Sequence, residues 1–352
     1  MTGYKVKFNG IDRLYDAYSW RLTRRAKKAW ETGQVLQGPY LQSLEAKIAD
    51  KYQRKFAVGV GSATDGLYFA MKAIGLNKDS VIGCPVFSFI ATAGAIRRLG
   101  ARIEYLDIDQ VGCLAPIKTK NKLDAVVYVN LYGNLANYDS IKTFCNGKNI
   151  PLIEDAAQSN GANYHGIPSG KLGDISVFSF DPTKNLPCFG SGGMVLTDNA
   201  DVYDKLKSLR RHGTGTKQYG YNSFISEDHA NQLLFLLEKF EDLQKRREQV
   251  FKRYNKKLPN IEFLTNKEKG LNPSYHKCVI MSNERDKLKS YLDNYGIETK
   301  IHYPYLLDKT MTHHYPMAEL IQAQCLSLPI YPFMKNSDIN YICNRIKTFY
   351  GI

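Results

Sequence analysis

Pro151-Leu152-Ile153-Glu154-Asp155-Ala156-Ala157-Gln158 is a short apolar run that ends on two acids, and its reading decides the fold. Four apolar or strand-compatible residues bounded by Pro151 and a small-residue turn predict a buried strand, which delivers Asp155 at its carboxyl end. Open α/β sheets bind their ligands at that end. A second run, Asp174 to Phe180, predicts another buried strand. The turn after it, Asp181-Pro182-Thr183-Lys184-Asn185-Leu186, carries Lys184 toward the same crevice. Taken singly, Asp155 reads as a helix cap and Lys184 as a solvated loop residue. Taken together, a buried acid and a lysine at one crevice supply the two groups that pyridoxal phosphate chemistry requires. The lysine forms an imine with the cofactor's aldehyde, and the acid keeps the pyridine nitrogen protonated so that the ring accepts electrons.

Outward from this pair, apolar strands alternate with helical stretches. Phe56–Val60, Ser80–Cys84, Arg102–Leu106, Asp124–Val129, Leu152–Glu154, Ile175–Phe180 and Gly193–Thr197 predict a seven-stranded, mostly parallel sheet covered by helices on both faces. After Asn222 the pattern changes. Residues 227 to about 256 read as one long amphipathic helix, Cys278–Met281 as a strand, and Arg285–Tyr295 and Asp338–Tyr350 as helices. The expected division is a large α/β domain over residues 1–235 with an N-terminal arm, and a smaller α+β domain over 236–352.

A length of 352 residues exceeds the usual single domain, and 43% apolar with 23% charged residues is ordinary for a soluble enzyme. No apolar run reaches the roughly 18 residues of a membrane span, and Met1 to Gly10 lacks a signal-peptide core, so the expected location is cytoplasmic, without membrane contact. Seven scattered cysteines without a CxxC fit reduced thiols and support no metal site. The formal charge of +14 is dispersed and comes without a nucleic-acid-binding motif. It is read as attraction of an anionic substrate and cofactor rather than of nucleic acid.

Gly59-Val60-Gly61-Ser62-Ala63-Thr64-Asp65-Gly66 leaves a strand and opens a helix, a turn suited either to plain connection or to holding a phosphate at a helix N-terminus. Phe89, just past another strand, is placed either in the core or against a flat ring.

These segments stand in one order with Gln37-Gly38-Pro39-Tyr40, Arg210-Arg211-His212-Gly213, Gly220-Tyr221-Asn222-Ser223 and Leu326-Ser327-Leu328-Pro329-Ile330-Tyr331-Pro332. So arranged, the chain resembles the DegT/DnrJ/EryC1/StrS family of nucleotide-sugar aminotransferases from about residue 30 to 335. The resemblance implies a fold-type I, pyridoxal 5'-phosphate-dependent homodimer with active sites at the subunit interface. It implies that Lys184 holds the imine and moves protons, Asp155 pairs with the ring nitrogen, Gln158 bonds the ring hydroxyl and Phe89 stacks on the ring. It implies that Ala63, Thr64 and Ser179 hold the phosphate, with Asn222 reaching it from the partner subunit, and that His302 and Tyr303 border the sugar.

Two positions depart from the family wording: Phe224 stands where an arginine is frequent, and Asn130 where a histidine is frequent. The expected reaction takes the amino group of L-glutamate to carbon 4 of a UDP- or dTDP-linked 4-keto-6-deoxyhexose, giving an amino-dideoxy sugar nucleotide for glycan assembly. Amination at carbon 3 is the second reading, and a non-catalytic regulator or basic nucleic-acid binder the reading from another class.

Overall fold

The computed structural model describes residues 3–216, 218–310 and 313–352. Seven strands form its central sheet: β1 (Phe56–Val60), β2 (Val81–Pro85), β3 (Arg102–Leu106), β4 (Ala125–Val129), β5 (Leu152–Asp155), β8 (Ile175–Ser179) and β9 (Gly193–Thr197). Between β5 and β8 lie the two-residue strands β6 (Asn163–Tyr164) and β7 (Ile167–Pro168), which form a small separate sheet with β10 (Leu271–Asn272). The large sheet runs β1-β9-β8-β5-β4-β2-β3, parallel except for β9, which is antiparallel to both of its neighbours. The expected seven-stranded, mostly parallel sheet is therefore present, each strand within a residue of its predicted limits.

Helices α1 (Ile11–Glu31), α2 (Pro39–Lys51), α3 (Ala63–Ala73), α4 (Ile90–Leu99), α5 (Tyr138–Lys148), α6 (Ala200–Leu209) and α7 (Glu227–Glu238) belong with this sheet. Side-chain alternation divides its strands between two cores. Val58, Val60, Ile153, Val177 and Val195 point into the apolar cluster of α3, α4 and α6, while Ala57, Phe178, Met194 and Leu196 point into that of α1, α2 and α7. The Gln37–Tyr40 segment begins α2, whose first N–H groups have no partner within the helix. Buried Glu227 supplies one, accepting from the backbone N–H of Gly38 at 2.9 Å, Tyr40 at 2.8 Å and Leu41 at 3.1 Å.

The single helix expected over residues 227–256 is two helices, α7 and α8 (Phe240–Lys257), parted at Lys239. The break lets each half bury its own residues: Leu233, Leu234, Phe235 and Leu236 of α7 sit with α1 and α2, whereas Val250, Phe251 and Tyr254 of α8 reach the C-terminal core. That core also packs β11 (Cys278–Met281), α9 (Arg285–Asn294), β12 (Cys325–Leu328) and α11 (Asn336–Tyr350), with α10 (Pro316–Gln324) nearer the sheet.

One apolar cluster joins Val129, Leu131 and Tyr132 to Val279, Leu306, Tyr315 and Cys325. The N-terminal arm, assigned by sequence to the large domain, also crosses over. Val6 pairs with Ile297 and is buried in the C-terminal core, and the Phe8 N–H donates to Glu298 Oε2 at 2.8 Å.

Candidate active site

The carboxyl ends of the parallel strands open into a cavity of about 260 Å³. Successive residues of β5 point to opposite faces, so its two terminal acids part company. Glu154 turns to one face, where the Ser169 and Ser176 hydroxyls, the Asn130 amide and the backbone N–H groups of Gly170, Leu172 and Gly173 donate to it. Asp155 turns to the α3/α4 side and faces the cavity. Thr92, in the first turns of α4, donates to Asp155 Oδ2 at 2.8 Å, and the Ala157 N–H to Oδ1 at 3.2 Å. Burial pushes this carboxyl up, against those two bonds and the charge of Lys184. Among the described residues no cation bonds to it.

Lys184 lies in the loop between β8 and β9, a loop fixed from several sides. The Lys184 N–H donates to the Asp181 carbonyl, the Cys188 N–H to the Phe180 carbonyl, and the Asn185 amide to the carbonyls of Asn160 and Ser274 and to Gln244. Its own ammonium makes no hydrogen bond or ion pair among the described residues. Burial pulls its pKa down, opposed by the charges of Asp181 and Asp155. A lysine so placed sheds its proton more readily than a solvated one, as an imine-forming amine must.

The N-terminus of α3 forms another part of the wall, with Ser62, Ala63 and Thr64 beside Ser179, Ser191 and Gly192. Helix geometry leaves the first N–H groups of α3 without partners inside the helix and gives that end a partial positive charge. A Cβ at Gly193 would stand 2.7 Å from the Ala63 nitrogen, so only glycine lets β9 come this close to the cradle. A buried carboxylate without a cation, an unpaired buried amine and an anion-binding helix end together match pyridoxal phosphate: a protonated ring nitrogen, an aldehyde and a phosphate.

Gln158 is oriented by the Tyr132 N–H, which donates to its Oε1 at 2.9 Å, and its Nε2 donates to the Tyr303 hydroxyl at 3.1 Å. Phe89 caps α4 at the mouth, with half of its surface exposed and its ring 5.7 Å from that of Tyr303. His302 and Tyr303 line the cavity, and His302 Nδ1 pairs with Ser327 Oγ at 2.8 Å. Burial, then the charges of Lys277, Lys300 and Lys184, bring the His302 imidazole down to about 2, so it is neutral at any physiological pH.

The cavity thus gathers Ala63, Thr64, Phe89, Asp155, Gln158, Ser179, Lys184, His302 and Tyr303. Asn222 does not line it; this residue is exposed and bridges to Arg211. Of the two departures from family wording, Asn130 is buried and ties Glu154 to the Ala136 N–H, and Phe224 lies under the Arg210 guanidinium at 5.1 Å. Neither lines the cavity.

Sequence reasoning missed Thr92, Phe8, His276, Lys277 and Lys300, which all line the cavity. For Thr92 a signal existed, since α4 begins just past β2 and its first-turn hydroxyls must face the same strand ends. Thr92→Val is expected to weaken cofactor retention roughly tenfold, because a hydrogen bond to a charged group contributes about 1.5–3 kcal/mol and its loss leaves Asp155 less readily ionised. Equilibrium dialysis against pyridoxal phosphate measures this, and wild-type retention would remove Thr92 from the role.

Residues 20–347 match the profile of the DegT/DnrJ/EryC1/StrS aminotransferase family. The chain is 30% identical to a "pleiotropic regulatory protein" of Geobacillus stearothermophilus, with 97% of each chain covered. It is also 30% identical to the UDP-2-acetamido-2-deoxy-3-oxo-D-glucuronate aminotransferase of Pseudomonas aeruginosa, covering 88% of this chain and 91% of that one. Among solved structures, a DegT/DnrJ/EryC1/StrS aminotransferase from Brucella abortus superposes with a TM-score of 0.93 at 26% identity, over 99% of this chain and 100% of that one.

Proposed function

The chain belongs to the DegT/DnrJ/EryC1/StrS aminotransferase family and is a pyridoxal-phosphate-dependent nucleotide-sugar aminotransferase, and from that premise we propose that it moves the amino group of L-glutamate to carbon 4 of a UDP- or dTDP-linked 4-keto-6-deoxyhexose. The observation that carries this reading is the meeting of Lys184, Asp155 and the α3 N-terminus in one cavity.

When bound, pyridoxal phosphate supplies an aldehyde that takes up and releases the amino group, and a ring that accepts electron density. Asp155 would set its negative charge against the ring nitrogen and hold the proton there. Ala63, Thr64 and Ser179 would hold the phosphate with backbone and hydroxyl donors. Gln158 would bond the ring hydroxyl, and Phe89 would cover the ring face. Lys184 Nζ takes the proton from the donor carbon that bears the amine and returns one to the sugar carbon that receives it. Neutral His302 and Tyr303 border the space left for the sugar.

The Pseudomonas relative, named for a 3-oxo sugar, favours a second reading, amination at carbon 3. Mass spectrometry and NMR of the product made from glutamate with UDP- and dTDP-linked 4-keto-6-deoxyglucose test the first. An amine on carbon 4 supports it, turnover confined to 3-keto sugars moves the function to the second, and no amination of any keto sugar sinks both.

The working unit we propose is a cytoplasmic homodimer in which Asn222 completes the neighbouring site. Supporting this, Phe89 at the cavity and Ile90 beside it in sequence are 49% and 41% exposed, and exposed Asn222 does not line its own cavity. Apolar residues so exposed mark a contact surface. Among the described residues no helix is long and apolar enough to cross a membrane. Mixing inactive Lys184→Ala subunits with Asn222→Ala subunits is expected to restore activity above either parent at limiting pyridoxal phosphate. One site of the mixed dimer then carries both lesions and the other none. Verified subunit exchange without recovery would overturn the shared site.

A further inference from the structure

Residues 276–277 lead into β11, and Lys277 lines the wall of the cavity contributed by the C-terminal unit and the N-terminal arm. The side chain is only 8% exposed, and its ammonium has no hydrogen bond or ion pair among the described residues. It rests over the Phe8 ring, 4.9 Å from the centroid. Lys300 approaches the same ring at 5.3 Å and is partly engaged by Glu298 at 3.4 Å. Burial and the charges of Lys184, Arg247 and Lys300 all disfavour the Lys277 charge. A buried ammonium without a counterion is costly to keep, and among the described residues only the Phe8 ring and the unbonded charge of Asp181 favour it.

The chemistry described above leaves this amine without a task. The phosphate cradle is a separate set of groups at α3, β8 and β9, and Lys184 alone serves as the reacting amine. Lys277 and Lys184 line the same cavity, near enough for the charge of Lys184 to bear on Lys277, and the reacting end of an amino acid bears a carboxylate.

We propose that Lys277, with Lys300 at its rim, is a carboxylate subsite that positions the reacting substrate beside Lys184. The inference rests on the transaminase reading above and adds the anchor for substrate charge that Phe224 does not supply. Two sources of carboxylate fit: the amino donor, which brings one in every turnover, and an acceptor sugar oxidised to a uronate. Lys277 is a positioning residue here, because it acts on the orientation of the substrate rather than on the proton that moves.

Calorimetric titration of the holoenzyme separates the sources. Glutarate, a dicarboxylate with no amine to give, reports on the donor arm. UDP-glucuronate against UDP-glucose, which differ in the carboxylate alone, reports on the acceptor arm. Lys277→Met is expected to weaken glutarate at least about tenfold, in proportion to a lost charge-assisted hydrogen bond, while Lys277→Arg retains binding within a few-fold. The thermal midpoint of Lys277→Met should match or exceed that of wild type, since an unpaired buried charge is removed; a merely structural lysine would lower it. Exposed Lys300→Gln, which cannot disturb the core, should show a smaller loss in the same direction.

A loss confined to UDP-glucuronate assigns the carboxylate to the sugar and also supports the subsite. Unchanged binding of glutarate and UDP-glucuronate, or losses for UDP-glucose as large as for UDP-glucuronate with glutarate unaffected, overturns it. Turnover of glutamate with a keto sugar, measured on the same wild-type sample, reports separately on the functional reading.

Discussion

Lys184→Ala is expected to lower turnover by at least roughly four orders of magnitude without unfolding the protein. The residue supplies both the amine that binds the cofactor and the proton carrier, and general acid–base transfer alone contributes about 10²–10⁴ in rate. The loop does not depend on the side chain. It is held by the Lys184 N–H, by Asp181, which binds the Thr183 N–H and hydroxyl, and by the Asn185 amide, all of which alanine leaves in place. Truncation also removes a buried amine that has no bonded partner among the described residues, so the thermal midpoint should hold or rise. Steady-state assay beside a melting curve checks both halves. Residual activity within about tenfold of wild type would take Lys184 out of the mechanism.

Asp155→Asn is expected to slow turnover by roughly 10²- to 10⁴-fold with the cofactor saturating. Breaking a buried ion pair on one side costs about 3–5 kcal/mol, and each 1.36 kcal/mol is tenfold in rate. Asparagine keeps the shape of the side chain and its contact with Thr92, so the loss isolates the charge. Cofactor affinity should fall in parallel, while the melting temperature of the cofactor-free protein stays near wild type, because no cation among the described residues bonds to Asp155. Near-normal turnover would contradict its role at the ring nitrogen.

Much of this was legible in the chain. The sheet strands show as apolar runs because both faces are covered, and Asp155 and Lys184 show because each follows such a run directly. The reversal of β9 was also within reach, since a parallel strand requires a crossover and the link over residues 180–192 contains no helix. The kink at Lys239 was not, because continuous helical periodicity spans it and only packing against two different cores separates the halves. Phe8, Lys277 and Lys300 were hidden for a similar reason. Phe8 joins the two lysines at the cavity because the arm at Val6 pairs with Ile297, a contact between residues nearly the whole chain apart that carries no local signature.

The opposed acids at the end of β5 also constrain how a gene for this fold can change length. A single-codon insertion or deletion that slipped β5 by one position would exchange the faces of Glu154 and Asp155. An insertion would bring the longer acid to the cavity position, and a deletion would leave the shorter one among the donors that serve Glu154, with the amino-acid composition of the site almost unaltered. Length variation among descendants of such a gene should therefore be absent from the short connection between α5 and β5. It should collect instead at exposed loops such as Asn121-Lys122 between β3 and β4, which no strand pairing spans.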